Sequence, residues 1–330
     1  MVAEIWRLAG DCSHLPYSRG DAQRIRVATE ESVRKVPFNP DEPASLRLRH
    51  LAGRPVLDWP PTLSQYDPRG LERAAEFECW KKASDSKVGI AGSYFSFKAG
   101  GRTACHSALE ARLLRYFDMC PFVVEIRTQY PSWSREKFLR CLAQGRRMPK
   151  NMVMTIDFML TLRIPGYPFA LYHGVSGKPA ALLSEEKVSR RHGRESGELW
   201  QWSATHEVMT ELTIPDQEHV NNRRLHAFML HADCIERHAQ HARSLADTLE
   251  ATKACGPLDR VLSMVGKRFG HDRKTSYRLF AIAHFLGHLV WDHRFPLSPL
   301  QPMMLVRSQR PPEESSRCPV SSYAGWGRHG

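Results

Sequence analysis

The sequence predicts an α/β protein, with a mixed sheet flanked by helices and then a mainly helical C-terminal region. The clearest strand is "NMVMTIDFMLTL", in which apolar residues alternate from Met152 to Leu162. Helical spacing of apolar residues precedes it, in "CHSALEARLLRYFDMCP", and dominates after Leu212. Strands and helices that interleave before a run of helices favour one mixed α/β layer with a helical addition.

Size and charge narrow the class of protein. The chain has 330 residues, 42% of them hydrophobic, which is enough for about two domains. The net charge of +12 and the sequence pI of about 9.5 favour a polyanionic partner such as nucleic acid, although an ordinary basic protein has the same composition. No apolar run approaches the ~18–20 residues of a membrane span, and the first residues lack the apolar core of a signal peptide. The eight cysteines contain no CxxC pair, so we expect a reduced, cytoplasmic compartment and no membrane partner.

The chain divides into four predicted regions. Residues 1–75 are turn-rich, with Pro60-Pro61 at their centre, and are expected to form a partly irregular extension. Residues 76–212 form the sheet-containing domain and residues 213–306 the helical one. Residues 307–330 have the composition of a disordered tail.

The first helix and strand of the main domain follow directly from periodicity. Leu109, Leu113, Leu114 and Phe117 have helical spacing, and Pro121 closes the segment. The next run, "FVVEIRTQYP", alternates like a strand. Its residues predicted to share one face are Val124, Ile126, Thr128 and Tyr130.

The second strand carries one charge. Asp157 is predicted on one face, and the residues on the other are Met152, Met154, Ile156, Phe158, Leu160 and Leu162. "YPFALYHGVSGK" is expected to pair with this strand after a Pro-Gly turn, with Ser176 and Lys178 on one face. A polar helix capped by Ser184 and a strand in "ELWQWSATHEV" follow. In that strand Trp200 and Trp202 alternate and are expected to serve packing.

The C-terminal region reads as a long helical stretch through Ala251, two further helices and a short β-like end. This order favours a helix-turn-helix or winged-helix module. From Leu258 to Arg278 there are six Lys or Arg against two Asp, which suits a DNA-facing surface, although a solvated charged face looks the same. The predicted DNA-binding residues are Arg223, Arg224, Lys267, Arg268, Arg273, Lys274 and Arg278.

Three charged residues in these elements fit one chemistry. Glu110 lies on a helix, Asp157 on a central strand and Lys178 at the end of the next strand. Carboxylates hold Mg²⁺ through hard oxygen ligands, and a lysine nearby can orient water or neutralise charge on a phosphate. Each also has a structural alternative. Glu110 completes a capping box with Ser107, Asp157 can be hydrogen-bonded at a bulge, and Lys178 can mark a strand end.

The order and spacing of these residues resemble the TnsA family, the endonuclease subunit of heteromeric transposases. The resemblance runs from about Phe95 to Val208. It covers "SFKAGGRTACHSALEARLL", "VVEIRTQYP", "MTIDFML", "GKPAALL" and "WQWSATHEV". The family's helical Glu matches Glu110, its "TDF"-like Asp matches Asp157, and its Gln-x-Lys matches Ser176-Gly177-Lys178.

The resemblance implies a restriction-endonuclease-like catalytic domain and a winged-helix-like C-terminal domain. It also implies Mg²⁺-dependent cleavage at the 5′ ends of a transposon, with Mn²⁺ as a substitute ion. The implied catalytic residues are Glu110, Asp157 and Lys178. The implied metal ligands are Glu110, Asp157 and Ser176, although serine replaces the family's glutamine and is shorter. The implied partners are transposon-end DNA, a TnsB-like transposase and a TnsC-like ATPase. A non-catalytic DNA-binding regulator and an assembly adaptor remain alternatives.

Two histidine groups were weighed as metal sites. The first comprises His231, Cys234, His238 and His241, which share a helical face but spread over about 15 Å of helix, so at most an adjacent pair can hold one ion. His284 and His288 lack the Glu of a zinc-protease motif and are expected to be packing or surface residues.

Overall fold

A computed structural model describes residues 46–51, 53–85, 90–146, 148–165, 167, 169–232, 234–252 and 256–306. The predicted tail, residues 307–330, lies outside the described residues, as do residues 1–45 of the predicted extension. In the described part of the chain, no helix has the length and apolar character needed to cross a membrane.

A mixed four-stranded sheet forms the centre of the molecule. Its strands, in spatial order, are β3 (Val123–Ser132), β4 (Met154–Leu162), β5 (Leu171–Gly177) and β6 (Ala204–Met209). The first three are antiparallel, whereas β5 and β6 run parallel. A separate hairpin consists of β1 (Gly92–Ser96) and β2 (Gly101–Cys105). The predicted mixed α/β class is confirmed, and β4 is a central strand.

Helices flank this sheet and dominate the C-terminal region. They are α1 (Ala108–Met119), α2 (Arg135–Ala143), α3 (Glu186–Trp200), α4 (Asp216–Met229), α5 (Ile235–Ala251), α6 (Leu258–Arg268) and α7 (Arg273–Phe285). The predicted first helix is confirmed as α1. The long C-terminal stretch proves to be two helices, α4 and α5, separated by a break after Met229. The β-like end contains an isolated bridge between Trp291 and Leu305.

The region of α3 and β6 differs from the prediction. Glu185, not Ser184, is the N-cap residue, and its side chain makes no capping bond. The helix continues through Trp200, so the strand predicted from Glu198 is wrong before Ala204. Leu199 is fully buried, and this keeps the helical face packed for another turn. Trp202 packs as expected, with its indole nitrogen 2.8 Å from the carbonyl oxygen of Trp133.

The predicted single apolar faces of β3 and β4 are also wrong. Ile126 and Phe158 lie in the core beneath α1, whereas Tyr130 and Ile156 lie in a second core on the other side. The faces change at Gln129, whose φ of 48° is left-handed. Thr128 pairs with Phe158 and Tyr130 with Ile156, but no pair forms between them at Gln129 and Asp157. Asp157 therefore sits at an irregularity of the sheet.

The described part of the predicted extension packs with the body of the protein. Leu48, Leu57 and Leu71 are each buried in a different apolar core. The backbone N–H of Leu57 donates to the carbonyl of Leu286 at 2.8 Å, just after α7. Most of this segment is irregular, as predicted, but from residue 46 onward it contributes to the cores of both neighbouring regions.

Candidate active site

Glu110 is held in the first turn of α1 by its own backbone and side chain. The Ser107 hydroxyl accepts from the Glu110 backbone N–H at 3.1 Å, which caps the helix. The Glu110 carboxylate in turn accepts from the backbone N–H of His106 at 2.8 Å. The predicted capping role is thus confirmed in a variant form, because the carboxylate accepts from the backbone N–H of His106 and, at 3.1 Å, from the hydroxyl of the N-cap residue Ser107. The carboxylate is only 6% exposed, and a catalytic role stays a prediction.

Gln129 supplies a third donor to the Glu110 carboxylate. Its side-chain amide lies 3.1 Å from the carboxylate oxygen that also accepts from His106. The left-handed backbone of Gln129 interrupts the alternation of β3, and its amide faces α1. Gln129 belongs to the strand motif "VVEIRTQYP", from which no role for its side chain is predicted. A positive φ at a glutamine cannot be read from the sequence.

Asp157 is anchored to the end of the neighbouring strand. Its carboxylate accepts from the backbone N–H of Gly177 at 2.8 Å. A Cβ atom at Gly177 would approach Leu113 of α1 to 3.1 Å, so glycine allows the end of β5 to come close to the helix. Lys178 follows immediately, and its backbone N–H donates to the carbonyl of Met209 at 2.9 Å. The predicted hydrogen bond of Asp157 is confirmed, but the register shift between β3 and β4 lies at Val123 and Glu125 and not at Asp157. Lys178 directly follows the end of β5, as predicted.

The two carboxylates destabilise each other's charge. Burial raises the pKa of Asp157 to about 6, and the negative charge of Glu110 contributes to that increase. Burial also raises the pKa of Glu110. The positive charge of Lys178 opposes both increases, so all three residues lie within electrostatic reach of one another.

This donor set fits a hard divalent cation. Two buried carboxylates with raised pKa values gain most from a nearby positive charge, and carboxylate oxygens are the ligands that Mg²⁺ prefers. Glu110 and Asp157 are therefore the residues that would hold Mg²⁺. Their present hydrogen-bond donors are His106, Ser107, Gln129 and Gly177.

Ser176 belongs to a different group of side chains. Its hydroxyl is buried and donates to the carboxylate of Glu195 on α3 at 2.9 Å. It also lies 3.1 Å from a ring nitrogen of His206 on β6. In the part of the chain that the structure describes, its hydrogen bonds go to these two residues and not to Glu110 or Asp157. The assignment of Ser176 as an Mg²⁺ ligand stays a prediction without a supporting contact.

A basic groove opens beside Lys178. A cavity of about 610 Å³ lies between this lysine and the N-terminal half of α3. The basic residues that line it are Lys178, Lys187, Arg190, Arg191 and Arg194. The last four have helical spacing within "KVSRRHGR", a segment whose sequence predicts a polar helix but no groove. We define these five residues as the basic groove.

The predicted DNA-binding residues occupy the C-terminal helices. All of them are exposed except Arg278, which is partly buried. Arg273, Lys274 and Arg278 line a cavity between α4 and α7. Arg273 pairs with Asp259 at 2.5 Å, and Arg224 donates to the carbonyl of Leu297. DNA contact by this surface stays a prediction.

The two predicted histidine groups lie on or beside the C-terminal helices α4, α5 and α7. The Cys234 thiol donates a hydrogen bond to the Glu236 carboxylate. The ring of His241 packs edge-on against that of His271, with ring centroids 5.3 Å apart. His284 is buried against His293, as expected of a packing residue.

Comparison with known proteins adds no family assignment. A scan of protein families found no match for the chain, and no curated protein matches it.

Proposed function

We propose that the chain is a Mg²⁺-dependent DNA endonuclease subunit of a heteromeric transposase. It cleaves the 5′ ends of the transposon, together with a TnsB-like transposase and under a TnsC-like ATPase. In this proposal the sheet domain is restriction-endonuclease-like and the α4–α7 region is winged-helix-like. The fold class and the TnsA-like motifs support it, and the site residues give it a mechanism.

The observation that carries the proposal is the electrostatic coupling of Glu110, Asp157 and Lys178. They come from a helix, a central strand and the end of a third element. Burial and, second to it, the negative charge of Glu110 raise the pKa of Asp157 to about 6, and the charge of Lys178 opposes the pKa increases of both carboxyls. A structural role alone does not call for two mutually repelling buried carboxylates.

Each residue has a defined task in this mechanism. Glu110 and Asp157 would hold the cation, and Gln129 and the Gly177 N–H orient their carboxylate oxygens. Lys178 places its positive charge at the scissile phosphate and offsets the charge that develops there. Mg²⁺, when bound, supplies Lewis-acid stabilisation of that phosphate.

The basic groove supplies the path for the DNA backbone. Arg190 and Arg194 are exposed on α3, and the groove ends at Lys178. Phosphate contacts of this kind position a duplex without reading its sequence. The C-terminal basic surface offers a second contact, which accounts for the large net positive charge.

The test is single-turnover cleavage of a plasmid that carries the ends of the element encoding this chain. The full chain is combined with the transposase encoded beside it, with and without Mg²⁺. We expect Mg²⁺-dependent 5′-strand cleavage that falls at least about 100-fold in Lys178→Ala. The matched control is Lys137→Ala, an exposed lysine of α2 outside the basic groove, which should stay within about threefold of wild type. Wild-type rates in Lys178→Ala, with the control also normal, would exclude Lys178 from the chemistry.

The second candidate function is a non-catalytic DNA-binding or assembly subunit. The observation that favours it is the engagement of Ser176 with Glu195 and His206, which leaves the cation with two protein carboxylates. This alternative predicts DNA and partner binding without cleavage in Mg²⁺ or Mn²⁺. If the complete, assembled reaction shows no cleavage with Mg²⁺ and none with Mn²⁺, the non-catalytic function is the correct one.

A further inference from the structure

Three ligand-type side chains converge between α3 and β6, apart from the carboxylate site. One ligand atom each from His192, Glu195 and His206 lies within 4.8 Å of the other two. The Nδ1 atom of His192 is 3.0 Å from the Glu195 carboxylate, and the Nε2 atom of His206 is 3.6 Å from the same oxygen. We define these three residues as the His-Glu-His cluster.

The hydroxyl of Ser176 lies beside the cluster, at the place of a fourth ligand. It lies 2.9 Å from the shared Glu195 oxygen and 3.1 Å from the His206 nitrogen. Ligands of a tetrahedral Zn²⁺ ion, with bonds of about 2.0–2.2 Å, stand roughly 3.3–3.5 Å apart. The observed separations bracket that spacing, so small side-chain rotations bring the nitrogen and oxygen atoms onto one ion.

The chemistry and burial of the cluster suit metal binding, because two imidazoles and one carboxylate are ligand types that Zn²⁺ binds. The side chains of Glu195 and His206 are 0% and 3% exposed, whereas that of His192 is 12% exposed and gives an ion access from the surface.

We propose that His192, Glu195 and His206 bind a divalent transition-metal ion, Zn²⁺, with Ser176 or a water in the fourth position. Two imidazoles and one carboxylate suit Zn²⁺ and not Mg²⁺, which prefers oxygen ligands alone. Two ligands lie one turn apart on α3 and the third on β6, so the ion joins this helix to the edge of the sheet. The site therefore holds in place the helix that carries the basic groove, and it does not depend on the proposed nuclease activity.

The test uses the full-length chain stripped of metal and reconstituted with Co²⁺ or Zn²⁺. We expect one Co²⁺ per chain with a tetrahedral absorption spectrum and no thiolate-to-cobalt charge-transfer band, because no cysteine belongs to the cluster. Zn²⁺ should displace the Co²⁺ and raise the melting temperature by several degrees, whereas Mg²⁺ should do neither.

The variants His192→Gln and His206→Gln should lose this spectrum. The matched control is His173→Gln, since His173 is a buried histidine of the same sheet that binds Glu207 and Thr205 and lies outside the cluster. His192→Gln alters the most exposed ligand and is the variant least prone to misfolding. A wild-type chain that takes up no Co²⁺ with a nitrogen–oxygen tetrahedral spectrum would overturn the proposal without reference to any variant. An unchanged spectrum in folded His192→Gln would overturn it as well.

Discussion

Two polar clusters flank the end of β5, and they differ in how their charges are balanced. In the carboxylate site, burial and mutual repulsion raise the pKa of Asp157. In the His-Glu-His cluster, Arg191 and two imidazoles surround a carboxyl whose pKa is lowered. In the first site one lysine, Lys178, faces two buried carboxylates, so a further positive charge would stabilise it. The second is already neutralised, which suits a structural role.

Removing the charge of Asp157 should have the largest effect on cleavage and should also change the free energy of unfolding. Asp157→Asn keeps an oxygen for the Gly177 N–H but removes a cation ligand. Cleavage should fall by about 1000-fold. The free energy of unfolding without metal should instead increase at pH 8. The folded pKa, about 6, lies above the unfolded value of about 3.9, so the charged form destabilises the folded state above that range.

The expected gain in stability is about 1 kcal/mol or more at pH 8 and should shrink to roughly 0.5 kcal/mol or less at pH 4, where wild-type Asp157 is protonated in the folded state and about half protonated in the unfolded state. Chemical unfolding in EDTA at the two pH values measures it. A loss of stability at pH 8 would show that the carboxylate serves the fold and not the cation.

Glu110→Gln separates the cap from the cation site. The glutamine oxygen can still accept from His106 and Gln129, so the melting temperature should change by no more than about 2 °C. Cleavage should fall by about 100-fold because a charged ligand is lost. Glu110→Ala is the comparison variant, since it removes both functions and should lower stability by about 1 kcal/mol. Normal cleavage by a destabilised Glu110→Gln chain would assign Glu110 to capping alone.

The basic groove should contribute to DNA affinity through charge alone. Arg190→Ala/Arg194→Ala should weaken binding to any duplex by roughly 10-fold and reduce the slope of log affinity against log salt by about 2. Lys137→Ala/Arg140→Ala, on α2 at the far end of α3, is the matched control and should leave both quantities near wild type. Equal losses in the two double variants would mean that net charge, and not the groove, sets the affinity.

Ser176→Ala should affect stability more than chemistry. The change removes a hydrogen bond to a buried carboxylate and should lower the free energy of unfolding by about 1–2 kcal/mol. Cleavage should stay within about threefold, whereas loss of a true supporting ligand would slow it 10- to 100-fold. Ser184→Ala, at an exposed serine that does not cap α3, is the control for both measurements. A large loss of cleavage in a stable Ser176→Ala chain would return this residue to the Mg²⁺ site.

The local hydrophobic periodicity predicted the helix and strands that position the site, but not which face of each strand lies in which core. The periodicity around Leu113 gave α1, and the single charge in an apolar strand identified Asp157. The left-handed backbone of Gln129 then reverses the faces of β3, and no residue type marks that conformation in advance. Helix α3 extends into a tryptophan-rich run with strand-like alternation because Leu199 packs on the sheet. Partners distant in sequence, such as Ser176 with Glu195 and His206, depend on that packing and were not predictable.

The central claim is that Glu110 and Asp157 form one cation site whose binding competes with a proton. It is tested most directly by Mn²⁺ affinity of the isolated chain, measured by water-proton relaxation between pH 5 and pH 8. Because the pKa of Asp157 is about 6, affinity should rise by roughly 10-fold per pH unit below 6 and level off above it. The rise should be absent in Asp157→Asn. Affinity that does not change with pH, or that is equal in wild type and Asp157→Asn, would contradict the account.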